Sequence, residues 1–535
     1  MSLTDSAAWT ALAEHHATLA TTHLRDLLED AGRIEVLTAE AAGVHLDLTR
    51  QRLTAESLGL LVEVARDRGV DARLRALQTG AIVNTTEARA ALHTALRAPL
   101  GTPIEVDGHD VVPGVHAVLD AMRSFATAVR DGSHLGATGE RIRTVVHLGI
   151  GGSHLGPAMV TTALRPYTDP DLEVRFVSNV DAADLQRALT GLDPASTLCI
   201  VASKTFTTAE TLANARAARA WIVGALGERA VATHFVAVST NLTAVGAFGI
   251  DAARTFGFWD WVGGRFSVSS AIGLPVMLAI GPDAFDDLLA GMRAMDEHAA
   301  TAPLERNLPV LLALTEVWNT DLEDMSTRAV IPYAADLALL PAFLQQLEME
   351  SNGKSVDEHG DPVLAGTSPI VWGAAGTDAQ HAFLQLLHQG TVIAPVDFIV
   401  VARAHEPLGD HQDVLVANAI AQAEALARGR FADEVAAQGV DPALVPHRVF
   451  AGDRPSTILM LDELTPATLG ALIALHEHKV AAAGALWGID SFDQWGVELG
   501  KVLAATILAE VRDGVDAPHD LATAATISRY RARRG

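Results

Sequence analysis

The stretch TVVHLGIGGSHLGP (144–157) decides the fold, because it joins an apolar run to a glycine-rich turn and a predicted helix. Gly149, Gly151 and Gly152 allow the backbone to approach an anion, and exposed N–H groups at a helix start complement negative charge. Pro157 suits the first turn of that helix. A strand, a glycine turn and a helix in this order predict one βα unit of a parallel sheet.

Apolar runs rich in Val and Ile repeat this pattern along the chain. The predicted strands form two series, 144–148, 174–178, 197–202 and 234–239, then 328–332, 368–372, 397–401, 447–450 and 457–461. Strands that alternate with helices predict an α/β fold of two doubly wound, mainly parallel domains. Apolar spacing of three and four in 55–70 and 87–97 predicts helices before them. The predicted divisions are a helical N-terminal region 1–125, domains 126–280 and 281–505, and a helical tail 506–535.

The composition excludes several classes of partner. The 535 residues carry a net charge of −26, which argues against nucleic acid and anionic lipid, so an anionic substrate needs a local cationic pocket. Cys199 is the sole cysteine and lies in an apolar run, so we expect no intrachain disulfide and a buried side chain. No signal-peptide pattern opens the sequence, and the apolar stretch 480–489 is half a membrane span, so we expect a cytoplasmic protein.

A second turn, ASKTFTTAET (202–211), places hydroxyls and one ammonium between a strand and a helix. Thr207 and Glu210 have the spacing of a capping box, which would put the hydroxyls at the helix N-terminus. Such donors beside Lys204 suit a phosphomonoester, although a simple helix cap has the same pattern. The Walker pattern is absent.

Cofactor signals are weak. Gly149-x-Gly151 resembles the start of a dinucleotide fingerprint, but His154 occupies the third glycine position and Asp181 follows too late. His381 and His388 are seven residues apart, on one face of a predicted helix, whereas zinc ligands on helices are usually three or four apart. We therefore predict no cofactor and no metal.

Three further segments carry polar groups whose role, functional or structural, the sequence leaves open. In PAFLQQLEMESNGK (341–354), Pro341 predicts a helix start and Gly353 a left-handed cap, with Gln346 and Glu350 on one face. Glu350 falls in the last turn, where the helix dipole disfavours an anion; this hints at function, although exposed glutamates are common.

The guanidinium of Arg265, beside Gly263 and Gly264, could stabilise an oxyanion or serve a structural ion pair. In DSFDQWGVELGK (490–501), Ser491 and Gln494 have capping-box spacing. Gln494, Glu498 and Lys501 predict a polar stripe, as a solvated helix face would.

Taken together, these segments resemble the glucose-6-phosphate isomerase (phosphoglucose isomerase) family. The resemblance runs in order from about residue 80 to residue 504 and includes these stretches: IVNTTEARAALHTALR (82–97), GIGGSHLGP, FVSNVD, SKTFTT, FWDWVGGRFS, LQQLEMESNGK, GTDAQHAFLQLLHQG and SFDQWGVELGK. It implies two sugar-isomerase (SIS) domains and a homodimer with active sites at the subunit interface. It also implies interconversion of glucose 6-phosphate and fructose 6-phosphate through an enediolate, in glycolysis and gluconeogenesis.

The resemblance also implies roles for individual residues. Those it assigns to catalysis are Glu350, as the base between C2 and C1; His381 with Lys501, for ring opening; and Arg265, for the enediolate. Those it assigns to substrate binding are Ser203, Lys204, Thr205 and Thr208 for the phosphate, Gly152 and Ser153 at the pocket wall, and Gln346 and Gln494 at the sugar.

This sequence departs from the family pattern at four places. His154 and Asp490 replace the usual Asp and Asn, Phe266 stands where Tyr is common, and Asp378-Ala379 replaces Asn-Gly. None removes a proposed catalytic group. Two alternatives stay open: a non-catalytic SIS-domain sensor of sugar phosphates, and an isomerase that also accepts mannose 6-phosphate.

Overall fold

Two parallel sheets organise the chain, in a computed structural model that describes residues 3–534. Residues up to Ser491 form one compact unit, and residues from Phe492 form a second. The strands of the first unit are β1 (Thr38–Ala41), β2 (Val44–Asp47), β3 (Ile82–Asn84), β4 (Arg89–Ala90), β5 (Glu105–Val106), β6 (His109–Asp110), β7 (Thr144–Leu148), β8 (Glu173–Val177), β9 (Thr197–Ala202), β10 (Phe235–Val238), β11 (Thr255–Phe256), β12 (Thr327–Tyr333), β13 (Ile370–Gly373), β14 (Val396–Arg403) and β15 (Ser456–Glu463).

Helices connect these strands. In the first unit they are α1 (Ala7–Leu19), α2 (Leu24–Leu27), α3 (Arg33–Val36), α4 (Ala55–Asp67), α5 (Val70–Ala76), α6 (Val112–Asp131), α7 (Gly152–Ala163), α8 (Ala182–Leu189), α9 (Ala209–Leu226), α10 (Val231–His234), α11 (Leu242–Phe248), α12 (Leu274–Ile280), α13 (Pro282–Thr301), α14 (Leu308–Val317), α15 (Leu340–Gln345), α16 (Asp378–Ala382), α17 (Leu384–Gln389), α18 (His411–Arg428), α19 (Ala432–Ala436), α20 (Val445–Arg448) and α21 (Pro466–Trp487). The second unit contains α22 (Glu498–Asp513) and α23 (Leu521–Arg534).

The first sheet has five parallel strands in the order β11-β10-β9-β7-β8. Its central strands β7 and β9 are buried along their whole length, as uninterrupted apolar runs require when helices cover both faces. Cys199 lies in β9, fully buried, and burial raises the pKa of its thiol to about 12. The prediction of a buried Cys199 side chain is confirmed.

The second sheet has the order β1-β2-β15-β14-β12-β13. Strands β12 to β15 are parallel, whereas the hairpin β1–β2 pairs with β15 in antiparallel fashion. The region 1–125, predicted as helical, therefore also contains six short strands, of which β1 and β2 join this sheet. The α/β class with two mainly parallel sheets is confirmed, while the four predicted divisions of the chain stay predictions.

Two predicted elements are wrong. The run 447–450 is no strand, because α20 covers Val445–Arg448 and Phe450 forms only an isolated bridge with Arg430. Residues 87–97 form no α-helix; β4 and a 3₁₀ turn, His93–Arg97, occupy this segment. By contrast, α4 matches the prediction for 55–70 closely.

Among residues 3–534, no helix combines the length and the apolar character that crossing a membrane requires.

Candidate active site

The glycine turn between β7 and α7 lies against a second glycine segment. A Cβ on Gly152 would come within 2.1 Å of the Gly264 carbonyl oxygen, and one on Gly151 would lie 3.2 Å from Gln346 Nε2. Only glycine permits this approach, so the turn is held between Gly264 and Gln346. Ser153 follows in the first turn of α7. The predicted place of Pro157 in that first turn is wrong, because Pro157 lies further inside the helix.

The hydroxyl-rich turn follows the adjacent central strand, β9. Ser203 Oγ and Thr208 Oγ1 are 3.1 Å apart, and Thr205 Oγ1 and Thr207 Oγ1 are 2.6 Å apart. The predicted capping box of Thr207 and Glu210 is wrong, because these hydroxyls pair with one another and no side chain caps α9. The N–H groups of the first turn of α9 are therefore left for another acceptor.

Lys204 connects this turn to the segment that precedes Arg265. Its ammonium donates to the carbonyl oxygens of Asp260 at 3.3 Å and Val262 at 3.4 Å, and lies 5.6 Å from the ring centre of Phe258. Burial lowers the pKa of Lys204, and the nearby Arg89 guanidinium lowers it further. Arg89 thus adds a second cation to this region. Reasoning from the sequence missed this residue, although it lies in the stretch 82–97 that resembles the family.

Arg265 is buried, with 2% of its side chain exposed, where three segments of the chain converge. Its Nε donates to Ser351 Oγ at 2.6 Å, and its Nη2 donates to the carbonyl oxygen of Ser491 at 2.7 Å. Its Nη1 lies 3.7 Å from Glu350 Oε2, and the Glu350 side chain is 21% exposed. The structure therefore brings the predicted cation and the predicted carboxylate together, with the cation buried and the carboxylate partly exposed to solvent.

Glu350 ends an unusual turn. Helix α15 has its predicted proline in the first turn, but from Gln346 to Glu350 the backbone is π-helical. Wide turns of this kind are rare and are frequent at functional sites. Gly353 is not in the predicted left-handed conformation; a Cβ there would lie 2.4 Å from the Met349 carbonyl oxygen.

His381 and His388 lie elsewhere in the first unit. Helix α16 ends before Phe383 and α17 begins after it, so the predicted single helix is wrong. Both histidines nevertheless line one cavity of about 470 Å³ beside α18, to which neither Arg265 nor Glu350 contributes. His388 Nε2 lies 2.8 Å from Gln422 Oε1, which is a structural role.

Within the described part of the chain, no three His, Cys, Asp or Glu side chains group as metal ligands would.

Gln494 and Lys501 belong to the second unit. Gln494 precedes a 3₁₀ turn, Trp495–Val497, and Lys501 Nζ lies 2.8 Å from Glu498 Oε1 on α22. The predicted stripe of three residues is wrong, because only Glu498 and Lys501 are on α22. The capping box is also wrong, since Ser491 Oγ donates to Asn352 Oδ1. The placement of Gln494 and Lys501 against Glu350 stays a prediction.

Three of the four departures from the family pattern make defined contacts in the structure. His154 packs against Phe176, and burial lowers its pKa. Asp490 accepts from Thr85 N at 2.7 Å and so fixes the β3–β4 turn. Phe266 stacks on His93 with ring centres 4.7 Å apart.

Two mainly parallel sheets, the first of which carries the glycine and hydroxyl turns at the carboxyl ends of β7 and β9, define a protein of the SIS class. The chain belongs to the phosphoglucose isomerase family, whose sequence profile matches residues 47–527.

Individual relatives agree with this assignment. The chain is 58% identical to a glucose-6-phosphate isomerase of Anaeromyxobacter dehalogenans, covering 99% of this chain and 97% of that one. It is 57% identical to one from Deinococcus deserti, covering 99% of each. The crystal structure of a glucose-6-phosphate isomerase from Chlamydia trachomatis superposes with a TM-score of 0.88 at 33% identity, covering 99% of this chain and 100% of that one.

Proposed function

We infer that this protein catalyses the reversible isomerisation of glucose 6-phosphate to fructose 6-phosphate by proton transfer. The observation that carries the inference is the Glu350 carboxylate, 3.7 Å from the buried Arg265 guanidinium, on a π-helical turn whose first residue, Gln346, lies against the glycine turn. Full-length similarity to glucose-6-phosphate isomerases supports the choice of substrate.

In the proposed reaction, Glu350 removes the proton from C2 of the open-chain aldose. The electron pair of that bond forms the C1–C2 double bond, and the charge that develops on the carbonyl oxygen faces Arg265. The same carboxyl group then returns the proton to C1. In the same conversion the O2 hydroxyl loses its proton and O1 gains one, so that O2 becomes the ketose carbonyl and O1 the C1 hydroxyl. A fixed guanidinium stabilises this charge better than water does, because it needs no reorientation.

The phosphate is proposed to bind at the turn of Ser203, Lys204, Thr205 and Thr208. The hydroxyl of Ser203 pairs with that of Thr208, and the hydroxyl of Thr205 pairs with that of Thr207. These donors therefore lie in one turn, directly before a helix that begins without a side-chain cap. Hydroxyl and amide donors at a helix start, beside one ammonium, suit a phosphate dianion.

Gly152 and Ser153 would form the pocket wall between the phosphate and the reacting carbons. Gln346, one π-turn before Glu350, would position the sugar together with Gln494. Binding energy from the remote phosphate would then hold C1 and C2 over the Glu350 carboxylate.

A coupled assay tests the proposal directly. Purified protein is mixed with glucose 6-phosphate and EDTA, with no added metal, and fructose 6-phosphate is detected; we expect turnover that EDTA does not reduce. Binding without turnover would support the sensor alternative instead, and activity that returns only with a divalent ion would contradict proton transfer without a metal. Mannose 6-phosphate in the same assay tests the dual-specificity alternative.

We also propose that the active enzyme is a homodimer, in which His381 of one subunit serves the Glu350 of the other and, with Lys501, opens the sugar ring. In support, His381 lines a cavity to which Glu350 does not contribute. Mixing and refolding Glu350→Gln with His381→Ala subunits should restore about a quarter of wild-type activity. Half of the random dimers are then hybrids, each with one intact site. If no activity returns, each site belongs to a single chain.

A further inference from the structure

A cluster of buried charges lies behind Glu350. It consists of two cations and three carboxylates, and we call it the Glu348 cluster: Glu316, Arg328, Glu348, Asp397 and Lys479. No member has more than 8% of its side chain exposed. None of these residues was singled out from the sequence, and the proposed reaction uses none of them directly.

Glu348 is the member that reaches the π-helical turn. Its Oε2 accepts from Lys479 Nζ at 2.7 Å and from Arg328 Nη2, and its Oε1 faces His476 Nδ1 at 3.7 Å. Lys479 is on α21 and Arg328 is on β12, so both donors are fixed by elements of the second sheet and its covering helix. Glu348 therefore ties the turn to the rigid core of the unit.

Glu350 belongs to the same turn and lies beside Arg265. The Glu348 side chain is 2% exposed, whereas that of Glu350 is 21% exposed and lies beside Arg265. Ser351, the next residue, accepts a hydrogen bond from Arg265. The turn is thus attached to the core through Glu348, and Ser351 directly after it is attached to Arg265, with Glu350 between the two attachments.

The charges of the cluster are not equivalent. Burial alone would raise the pKa of Glu348, but Arg328 and Lys479 outweigh burial and hold it well below its usual range. Burial raises the pKa of Glu316, and the opposing effect of the Lys479 and Arg328 charges offsets only part of this rise. Glu348 is therefore the firm anion, and Glu316 takes up a proton more readily.

We propose that Glu348 is a positioning residue, whose ion pairs with Arg328 and Lys479 fix the π-helical turn so that the Glu350 carboxylate keeps its place beside Arg265. The proposal rests on the proposed role of Glu350 as the base. Proton transfer depends steeply on the geometry of the reacting atoms, and a displacement of 1 Å costs a rate factor of about 100.

The test compares Glu348→Gln with Glu316→Gln, a matched control in the same cluster but on α14. We expect Glu348→Gln to lower kcat about 10- to 100-fold and to change KM less than about threefold. Glu316→Gln should change both by less than about threefold, because Glu316 lies on α14 and does not belong to the π-helical turn. With substrate deuterated at C2, the fraction of label recovered at C1 of the product should fall about twofold or more in Glu348→Gln. A displaced carboxylate exposes the transferred proton to water for longer.

Glu348→Asp decides the question if Glu348→Gln does not fold. This variant keeps the charge and shortens the side chain by one methylene, and we expect kcat about three- to tenfold lower, with reduced label recovery. Wild-type kcat and label recovery in Glu348→Asp, or equal losses in Glu316→Gln and Glu348→Gln, would overturn the proposal. Wild-type activity in Glu350→Gln would instead overturn the proposed function, so the two failures are distinguishable.

Discussion

Arg265 Nη1 lies 3.7 Å from Glu350 Oε2, within ion-pair range but beyond hydrogen-bond distance. The guanidinium is oriented by Ser351 and by the carbonyl oxygen of Ser491, so its geometry does not depend on the carboxylate. Glu350 is therefore close to a fixed positive charge without being locked to it as an acceptor. This arrangement suits a base that must take up and release a proton while the neighbouring charge stabilises an oxyanion.

Arg265→Lys should lower kcat about 10²- to 10³-fold with a smaller change in KM. Lysine keeps the charge but lacks the planar fork that contacts Ser351 and Ser491, so the cation loses its fixed orientation. Steady-state kinetics with glucose 6-phosphate measure the effect, and Arg254→Lys, a cation outside the site, serves as the control. A kcat within threefold of wild type would show that Arg265 does not stabilise the transition state.

Lys204→Ala should raise KM about 10- to 100-fold while kcat changes little. Its ammonium would contribute a charge-assisted hydrogen bond to the phosphate, which is worth about 1.5–3 kcal/mol. Arg216→Ala removes an exposed cation from α9, the helix that follows the turn of Lys204, and should leave both constants unchanged. An unchanged KM in Lys204→Ala would place the phosphate elsewhere.

Asp321→Asn should stabilise the protein above neutral pH. Burial raises the pKa of Asp321 to about 7, although Trp487 Nε1 donates to its carboxylate at 2.9 Å. Below pH about 4 the carboxyl group is protonated in both the folded and the unfolded state, and its contribution to stability is greatest. As the pH rises to about 7 the unfolded state loses this proton first, so the contribution is lost. The loss is about 4 kcal/mol at most.

Thermal unfolding of wild type and Asp321→Asn between pH 4 and 8 measures this difference. The advantage of the variant should grow from pH 4 to about pH 7 and then stay constant. Using the difference between the two proteins cancels the contributions of all other groups. An advantage independent of pH would mean that Asp321 titrates normally.

The sequence predicted the sheets well, because the runs that form β7 and β9 are continuously apolar and are flanked by turn residues. It failed where long-range pairing decides the local structure. Residues 87–97 have helical apolar spacing, but Arg97 is buried through ion pairs with Asp296 and Glu477, which are 199 and 380 residues away. No local pattern reveals such partners, and they override helix propensity.

The same limit applies to the candidate site. Arg265 and Glu350 were found individually from residue type and family resemblance, but the π-helical turn has no simple sequence signature. The failed capping box at Thr207 shows the competing effect, since its hydroxyl pairs with Thr205 and leaves the helix start uncapped. Within the Glu348 cluster, the sequence position of Lys479 is informative. A lysine in the middle of an apolar helix indicates a buried cation that needs a charged partner.

The most direct test of the account is kcat of Glu350→Gln at saturating glucose 6-phosphate. Glutamine keeps the size and the hydrogen-bonding capacity of the side chain but cannot take up the C2 proton. We predict a kcat about 10²- to 10⁴-fold below wild type, with inhibition by inorganic phosphate unchanged. A near-normal kcat would contradict the assignment of Glu350 as the base and, with it, the proposed mechanism.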